Sequence, residues 1–259
     1  MSSLLDKLEQ VSQPALRRLG FAISEAIIPP PPMVIVSRYL DNGIQLLQDS
    51  ASTTDAGIIG MTETSSIKEI IKIGTHFGDT IPWGIQLDTV PQLSVDELHK
   101  AGCDYVVFGV EDTMASVLNH EVMGKVLSVA VDLEDKFVRV LEDIPAEALI
   151  LENENKGHVT LKQLMEYRII LSAVSKPVLI SASASIFEED VTSLYNLGMV
   201  GIVIDIKTKD DVNHIARLRQ VIESLPPREV DDKGSIGPIT QLSAHSTSMP
   251  TLNPDEDEE

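Results

Sequence analysis

Short apolar, β-branched runs recur along the chain, and the apolar residues between them fall at the spacing of one helix face. The runs are MVIVS (33–37), AGIIGM (56–61), WGIQLD (83–88), DYVVFG (104–109), VLSVAVD (126–132), ALILEN (148–153), PVLIS (177–181) and GIVID (201–205). Each reads as a strand, and successive starts lie roughly 20 to 30 residues apart, the length of one strand, one helix and their loops. Strict alternation of strand and helix predicts a parallel α/β sheet. Eight such units predict its closure into a (β/α)8 barrel over residues 33–225.

The intervening segments carry the helical period. SSIKEIIKIGTHF puts Ile67, Ile70 and Ile71 on one stripe, and VTLKQLMEYRIILSAV puts Leu161, Leu164, Met165 and Ile169 on another, each expected to face the barrel. EEDVTSLYNLG ends at Gly198, a C-cap before the last strand. After the fourth strand TMASVLNHEVMG supports only a short, broken helix. Ahead of the barrel, PALRRLGFAISEAI predicts an extra helix with Pro14 in its first turn, placed to cover the barrel's N-terminal face and joined to it by the stiff run Pro29 to Pro32. Residues 1–32 are thus an N-terminal helical segment and linker.

From Pro226 the period stops, and Pro, Ser, Thr and acidic residues dominate. Residues 226–259 predict a disordered acidic tail, either solubilising or engaging a partner. Eight acids there (Glu229, Asp231, Asp232, Asp255, Glu256, Asp257, Glu258, Glu259) against Arg228 and Lys233 give −6 of the chain's −20, so the folded part is itself acidic at −14. That charge opposes a nucleic-acid backbone or an anionic membrane surface. No apolar run approaches the roughly 18 residues of a membrane span. The single cysteine, Cys103, permits no intramolecular disulfide, and a reducing cytoplasm is the expected compartment.

Two stretches, AGCDYVVFG (101–109) and LYNLGMVGIVID (194–205), resemble the aldolase-type TIM barrels, and the last third is similar to their phosphate-binding subgroup, which includes indole-glycerol-phosphate synthase and the ribulose-phosphate-binding barrels. In that subgroup the loop after strand seven carries a glycine pair, and strand eight ends in another small residue, so that backbone N–H groups close on a phosphate. Here Ser181-Ala182-Ser183-Ala184-Ser185 and Asp205 stand at those places. A carboxylate beside a dianion opposes binding, so phosphate is not expected. No strand carries a lysine near its C-terminal end, and Lys125 lies at the other end of its strand, so the family's catalytic lysine does not transfer.

The strand ends carry oxygen instead. Period-2 alternation sets Gly84, Gln86 and Asp88 on one face of the third strand and Ser128, Ala130 and Asp132 on one face of the fifth, and both faces are expected to point into the barrel. With Ser181, Ser183 and Asp205, and with Glu111 and Glu152 at further strand ends, carboxylates converge on the C-terminal mouth, where this fold builds its sites. Three kinds of cation could compensate them: a hard ion such as Mg²⁺ held by Asp88, Asp132 and Asp205; local bases such as Arg38, Lys156, Lys207 and Lys209; or a cationic or polyhydroxylated ligand. His158, close in sequence to Glu152, is the histidine best placed for acid–base work with it.

Three readings follow: a small-molecule lyase or isomerase at an acidic mouth, a barrel that binds or scaffolds without catalysis, and an oligomeric interaction protein using its termini. A small-molecule ligand and a homo-oligomer are compatible with all of these.

Overall fold

The β-branched runs form the strands that their alternation predicts. The computed structural model describes residues 2–13, 31–60, 67–78, 81–87, 95–111, 113–119, 122–153, 157–226 and 228. Eight strands close into one barrel in chain order: β1 (Val34–Tyr39), β2 (Ala56–Gly60), β3 (Trp83–Leu87), β4 (Tyr105–Gly109), β5 (Gly124–Ala130), β6 (Ala148–Glu152), β7 (Val178–Ala182) and β8 (Gly201–Ile206). Neighbours are parallel throughout, and β8 pairs back on β1. The helices are α1 (Ser3–Ser12), α2 (Leu47–Ser50), α3 (Ile67–Gly74), α4 (Val95–Lys100), α5 (Asp135–Val138), α6 (Leu161–Ala173), α7 (Glu188–Leu197) and α8 (Lys209–Glu223). After β4 the described residues form a 3-10 turn, Ala115–Asn119, in keeping with the broken pattern of that segment.

Local signals set several boundaries. Thr160 and Thr208 each cap a helix reciprocally with the residue three further on, Gln163 and Asp211, which satisfies donors at the starts of α6 and α8. Gly198 ends α7 at φ 118°, a left-handed cap that a side chain would strain.

Two expectations are corrected. β5 stops at Ala130, so Asp132 lies beyond the strand and is exposed rather than turned into the barrel. α6 is rotated from the orientation read in its sequence: Tyr167 and Ile170 are buried, with Leu164 and Leu171 packed beside them, while Leu161, Met165 and Ile169 are exposed. Its sequence is apolar on two faces, and periodicity alone does not say which one meets the sheet. Among the described residues, α1 covers the N-terminal face, a helix that the sequence reading did not single out. The segment expected there, PALRRLGFAISEAI, lies outside the described residues, as does nearly all of the acidic tail.

α1 seals the bottom of the barrel. Leu4, Leu8 and Val11 pack into the interior layer of Val34, Val36, Ala56, Ile58, Tyr105, Val107, Val126, Ala148, Ile150, Leu179 and Val203. Asp104 holds the start of α1 by accepting from Ser2 Oγ (2.7 Å) and from the backbone N–H groups of Ser3 (2.8 Å) and Leu4 (3.0 Å). Tyr105 crosses the interior to donate to the Gly57 carbonyl at 2.7 Å, and its ring occupies the space that a Cβ on Gly84 would enter. Outside the barrel, a second layer including Ile35, Ile59, Ile85, Phe108, Leu127, Leu149, Ile180 and Ile204 meets the helices.

Candidate functional site

Above the apolar interior lies a polar layer. Continuing the inward phase of each strand toward its C-terminal end, Val34 and Val36 lead to Arg38, Gly84 to Gln86, Val126 to Ser128, Ile150 to Glu152, Leu179 to Ser181 and Val203 to Asp205. Six strands each contribute one of these groups, and Arg38 joins most of them. Its Nε donates to Asp205 Oδ1 (2.6 Å), Nη1 to Glu152 Oε1 (2.7 Å) and Gln86 Oε1 (3.3 Å), and Nη2 to Glu152 Oε2 (3.2 Å) and Ser181 Oγ (3.2 Å). A guanidinium has five N–H donors, and all five are engaged. Ser128 donates to Glu152 Oε1 at 2.9 Å, and Lys207 Nζ lies 3.2 Å from Asp205 Oδ2.

The electrostatics follow from this geometry. Burial opposes the charge on Arg38, but Glu152 and Asp205 outweigh it and raise its pKa further, so the guanidinium stays protonated. Burial would likewise raise Asp205, yet Arg38 and Lys207 together hold its carboxyl below the ordinary value. Two cations and two carboxylates formally cancel at the centre of an acidic molecule.

Among the described residues the mouth is open on one side. Gly109 shares the inward phase of β4 and lies beside Ser128, and a Cβ on it would meet nothing within 4 Å. Ala130, next in phase on β5, is exposed. Small residues therefore leave room over β4 and β5, directly beside the polar layer. Grooves of about 590 and 350 Å³ flank α1 at the opposite face, away from these groups.

Of the residues singled out from sequence, Gln86, Glu152, Ser181 and Asp205 come together. Ser183 sits in the loop after β7 and pairs with Ser185 Oγ at 3.0 Å. Glu111 and Asp132 are exposed, and Asp88 lies outside the described residues. The proposed metal set is thus not assembled by Asp132 and Asp205, and among the described residues no group of three His, Cys, Asp or Glu is placed to hold a metal ion. His158 pairs with Asp190: its Nδ1 lies 3.2 Å from Asp190 Oδ2, and its ring stacks on Phe187 with centroids 3.6 Å apart. Both partners belong to the start of α7, so His158 is oriented at the rim and not by Glu152.

Arg38 was legible only as a nearby base. The usable signal was its phase: after Val34 and Val36 it is the next inward position, and a cation there must find acids across the barrel. Asp190 left no comparable signal, being one acid of three at a helix start, where acids are ordinary.

No protein-family model matches the chain, and no curated protein matches it. Solved structures do. A protein from Aquifex aeolicus VF5, solved under a project identifier, superposes with TM-score 0.61 at 13% identity, covering 86% of this chain and 99% of the other. A variant tryptophan synthase alpha-subunit from Pyrococcus furiosus gives TM-score 0.59 at 12% identity, covering 74% and 98%. A chain from a study of mutual activation in the tryptophan synthase α2β2 complex of the same organism gives 0.54 at 15%, covering 73% and 95%. At such identities the likeness establishes the fold alone: a (β/α)8 barrel. Among the described residues no helix is long and apolar enough to cross a membrane.

Proposed function

We propose that the polar layer around Arg38 is a small-molecule site and that the chain is an enzyme of lyase or isomerase type. The observation that carries this reading is the layer itself, six polar side chains from six strands gathered at the end of the barrel where this fold works. Stability alone does not account for it, because a buried ion network generally contributes no more than apolar packing of the same volume. Its form suits proton abstraction next to a carbonyl. The charged bonds to Asp205 and Glu152 fix the guanidinium, while the longer neutral ones to Gln86 and Ser181 are those that a ligand oxygen exchanges for. Developing enolate charge then falls against a fixed, protonated cation. Glu152 is the base in this scheme, Gln86, Ser181, Ser183 and Asp205 bind, and His158 at the rim moves the proton to or from solvent.

The test is solvent-deuterium exchange at carbon next to a carbonyl, followed by NMR over a panel of small 2-oxo acids, ketoses and aldehydes. Exchange with one member, abolished in Glu152→Gln and in Arg38→Met with the fold retained, is expected. Absence of exchange across the panel, with no thermal stabilisation by any member, favours the second reading, a non-catalytic binding or scaffold barrel. That reading has its own support, since all five Arg38 donors are already spent on the protein.

A further inference from the structure

One of the three acids in the first turn of α7 is buried. Glu188 and Glu189 are exposed, and their charge suits the positive end of the helix whatever lies around them. Asp190 is only 7% exposed. Among the described residues one side chain meets it, that of His158, whose Nδ1 lies 3.2 Å from Asp190 Oδ2. A carboxylate buried for stability alone does no better than an apolar side chain in its place, and a pair whose histidine side chain is 66% exposed adds little. The pairing matters more to the histidine than to the fold.

An ionised carboxylate accepts and cannot donate, so in the neutral ring this bond places the proton on Nδ1 and leaves the lone pair on Nε2. Phe187 fixes the plane of the ring, stacking on it with centroids 3.6 Å apart and planes 15° from parallel. The backbone is tied down as well. His158 lies two residues before Thr160, the cap of α6, which bonds reciprocally with Gln163. Gln163 Nε2 in turn donates at 3.2 Å to Oδ1 of Asn153, the residue that follows Glu152 at the end of β6. Both members of the pair thus belong to the C-terminal side of the barrel, His158 on the connection leaving β6 and Asp190 on the helix that follows β7, the strands whose ends carry Glu152 and Ser181.

We propose that Asp190 is a positioning residue of the mouth: it holds His158 as the Nδ1–H tautomer, so that Nε2 is the nitrogen through which a proton taken by Glu152 reaches solvent. This role rests on the reading of Glu152 as the base. A proton leaves the carbon next to the carbonyl for Glu152, passes through water to Nε2, and leaves the imidazolium for bulk solvent; the return runs in reverse. Asp190 keeps no proton at any step. It holds the ring and offsets the positive charge while the imidazolium exists.

NMR of the full chain carrying isotope-labelled histidine tests the tautomer without any substrate. His158→Gln identifies the signals of His158, and His99 on α4 and His214 on α8 report that each variant is folded. At about pH 9, above the imidazole range, the parent is expected to show His158 in the single Nδ1–H form. Asp190→Ala is expected to give a mixture of the two neutral forms. Glu189→Ala, which removes an exposed acid from the same helix turn, is expected to keep the parent's form. In the solvent-deuterium exchange described above, Asp190→Ala is expected to lower kcat on the order of tenfold or more with KM unchanged, and Glu189→Ala to match the parent. A mixed or Nε2–H His158 in the parent, the same form in Asp190→Ala, or parental exchange in Asp190→Ala would each overturn the proposal. A fixed tautomer in a chain that exchanges no member of the panel would overturn the role together with the reading of Glu152, the intact tautomer telling that failure from the others.

Discussion

Arg38 and Glu152 reach each other across the barrel mouth, from β1 to β6, through two bonds of 2.7 and 3.2 Å. Glu152→Ala leaves the guanidinium short of its main partner, and a loss of about 1 to 3 kcal/mol is expected for removing one partner of a part-buried charged pair. Replacing Arg38, Glu152 and Asp205 together by apolar residues of similar volume is expected to cost far less, or to stabilise. Urea unfolding of the single and combined variants measures both. A combined variant as unstable as Glu152→Ala would mean that the layer serves folding and not a ligand.

Asp205 gives the mouth a pH dependence of definite sign. Its folded pKa is depressed, so the unfolded chain takes up the proton first as pH falls. Its contribution is therefore present above about pH 4, the unfolded value, and disappears as pH falls through the lower folded value. Asp205→Asn should be less stable than the parent at neutral pH, with the two curves converging in acid. Stability by urea unfolding between pH 7 and pH 3 checks this, and a constant gap down to the lowest pH would count against it.

All eight strands were legible in the sequence, because β-branched runs at regular spacing have few other uses, and with them the closed barrel. The acids at the strand ends were legible as a group. What escaped were relations that only the closed barrel creates. Asp132 was misplaced because β5 ends two residues earlier than its apolar run. Arg38 looked peripheral because its partners on β3, β6, β7 and β8 lie far away in sequence. Leu161, Met165 and Ile169 were assigned to the core because a helix apolar on two faces gives periodicity no means of choosing between them.

Gly84 and Tyr105 should behave as one unit. A methyl group on Gly84 enters the Tyr105 ring space, and that ring is pinned by its bond to Gly57. Gly84→Ala is expected to cost about 1 to 3 kcal/mol through overpacking. In a Tyr105→Leu background the same change should cost under about 1 kcal/mol, the difference being the coupling of two contacting sites. Equal costs in both backgrounds would show that the interior yields elsewhere.

Asp104 ties α1 to the barrel by three bonds at the helix's positive end. Asp104→Ala should free α1 before it affects the strands. Amide hydrogen exchange is expected to quicken across 3–12 by at least roughly tenfold, corresponding to about 1.4 kcal/mol of local opening, with protection in β1 to β8 retained. Uniform loss of protection would instead make α1 part of the global unfolding unit.

The last expectation concerns phosphate, where the structure sharpens what the sequence suggested. In a phosphate-binding barrel, the loop after β7 and the end of β8 offer free backbone donors and no negative charge. Here Ser181 accepts from Arg38, Ser183 and Ser185 bond to each other, and Asp205 is held in its ionised form by Arg38 and Lys207. A dianion entering this corner meets Asp205 and Glu152, while the neutralising guanidinium is already engaged. A ligand at a hundred times its Kd adds about 2.7 kcal/mol of stability, a rise of several degrees in Tm. Glycerol 3-phosphate and ribose 5-phosphate at millimolar concentration are expected to leave Tm unchanged. Asp205→Gly, which removes one repulsive charge and frees Arg38 Nε, is expected to respond more than the parent. A clear rise in the parent's Tm, with the phosphate located at the ends of β7 and β8, would show that Arg38 leaves Asp205 for the ligand and would overturn the exclusion of phosphate esters.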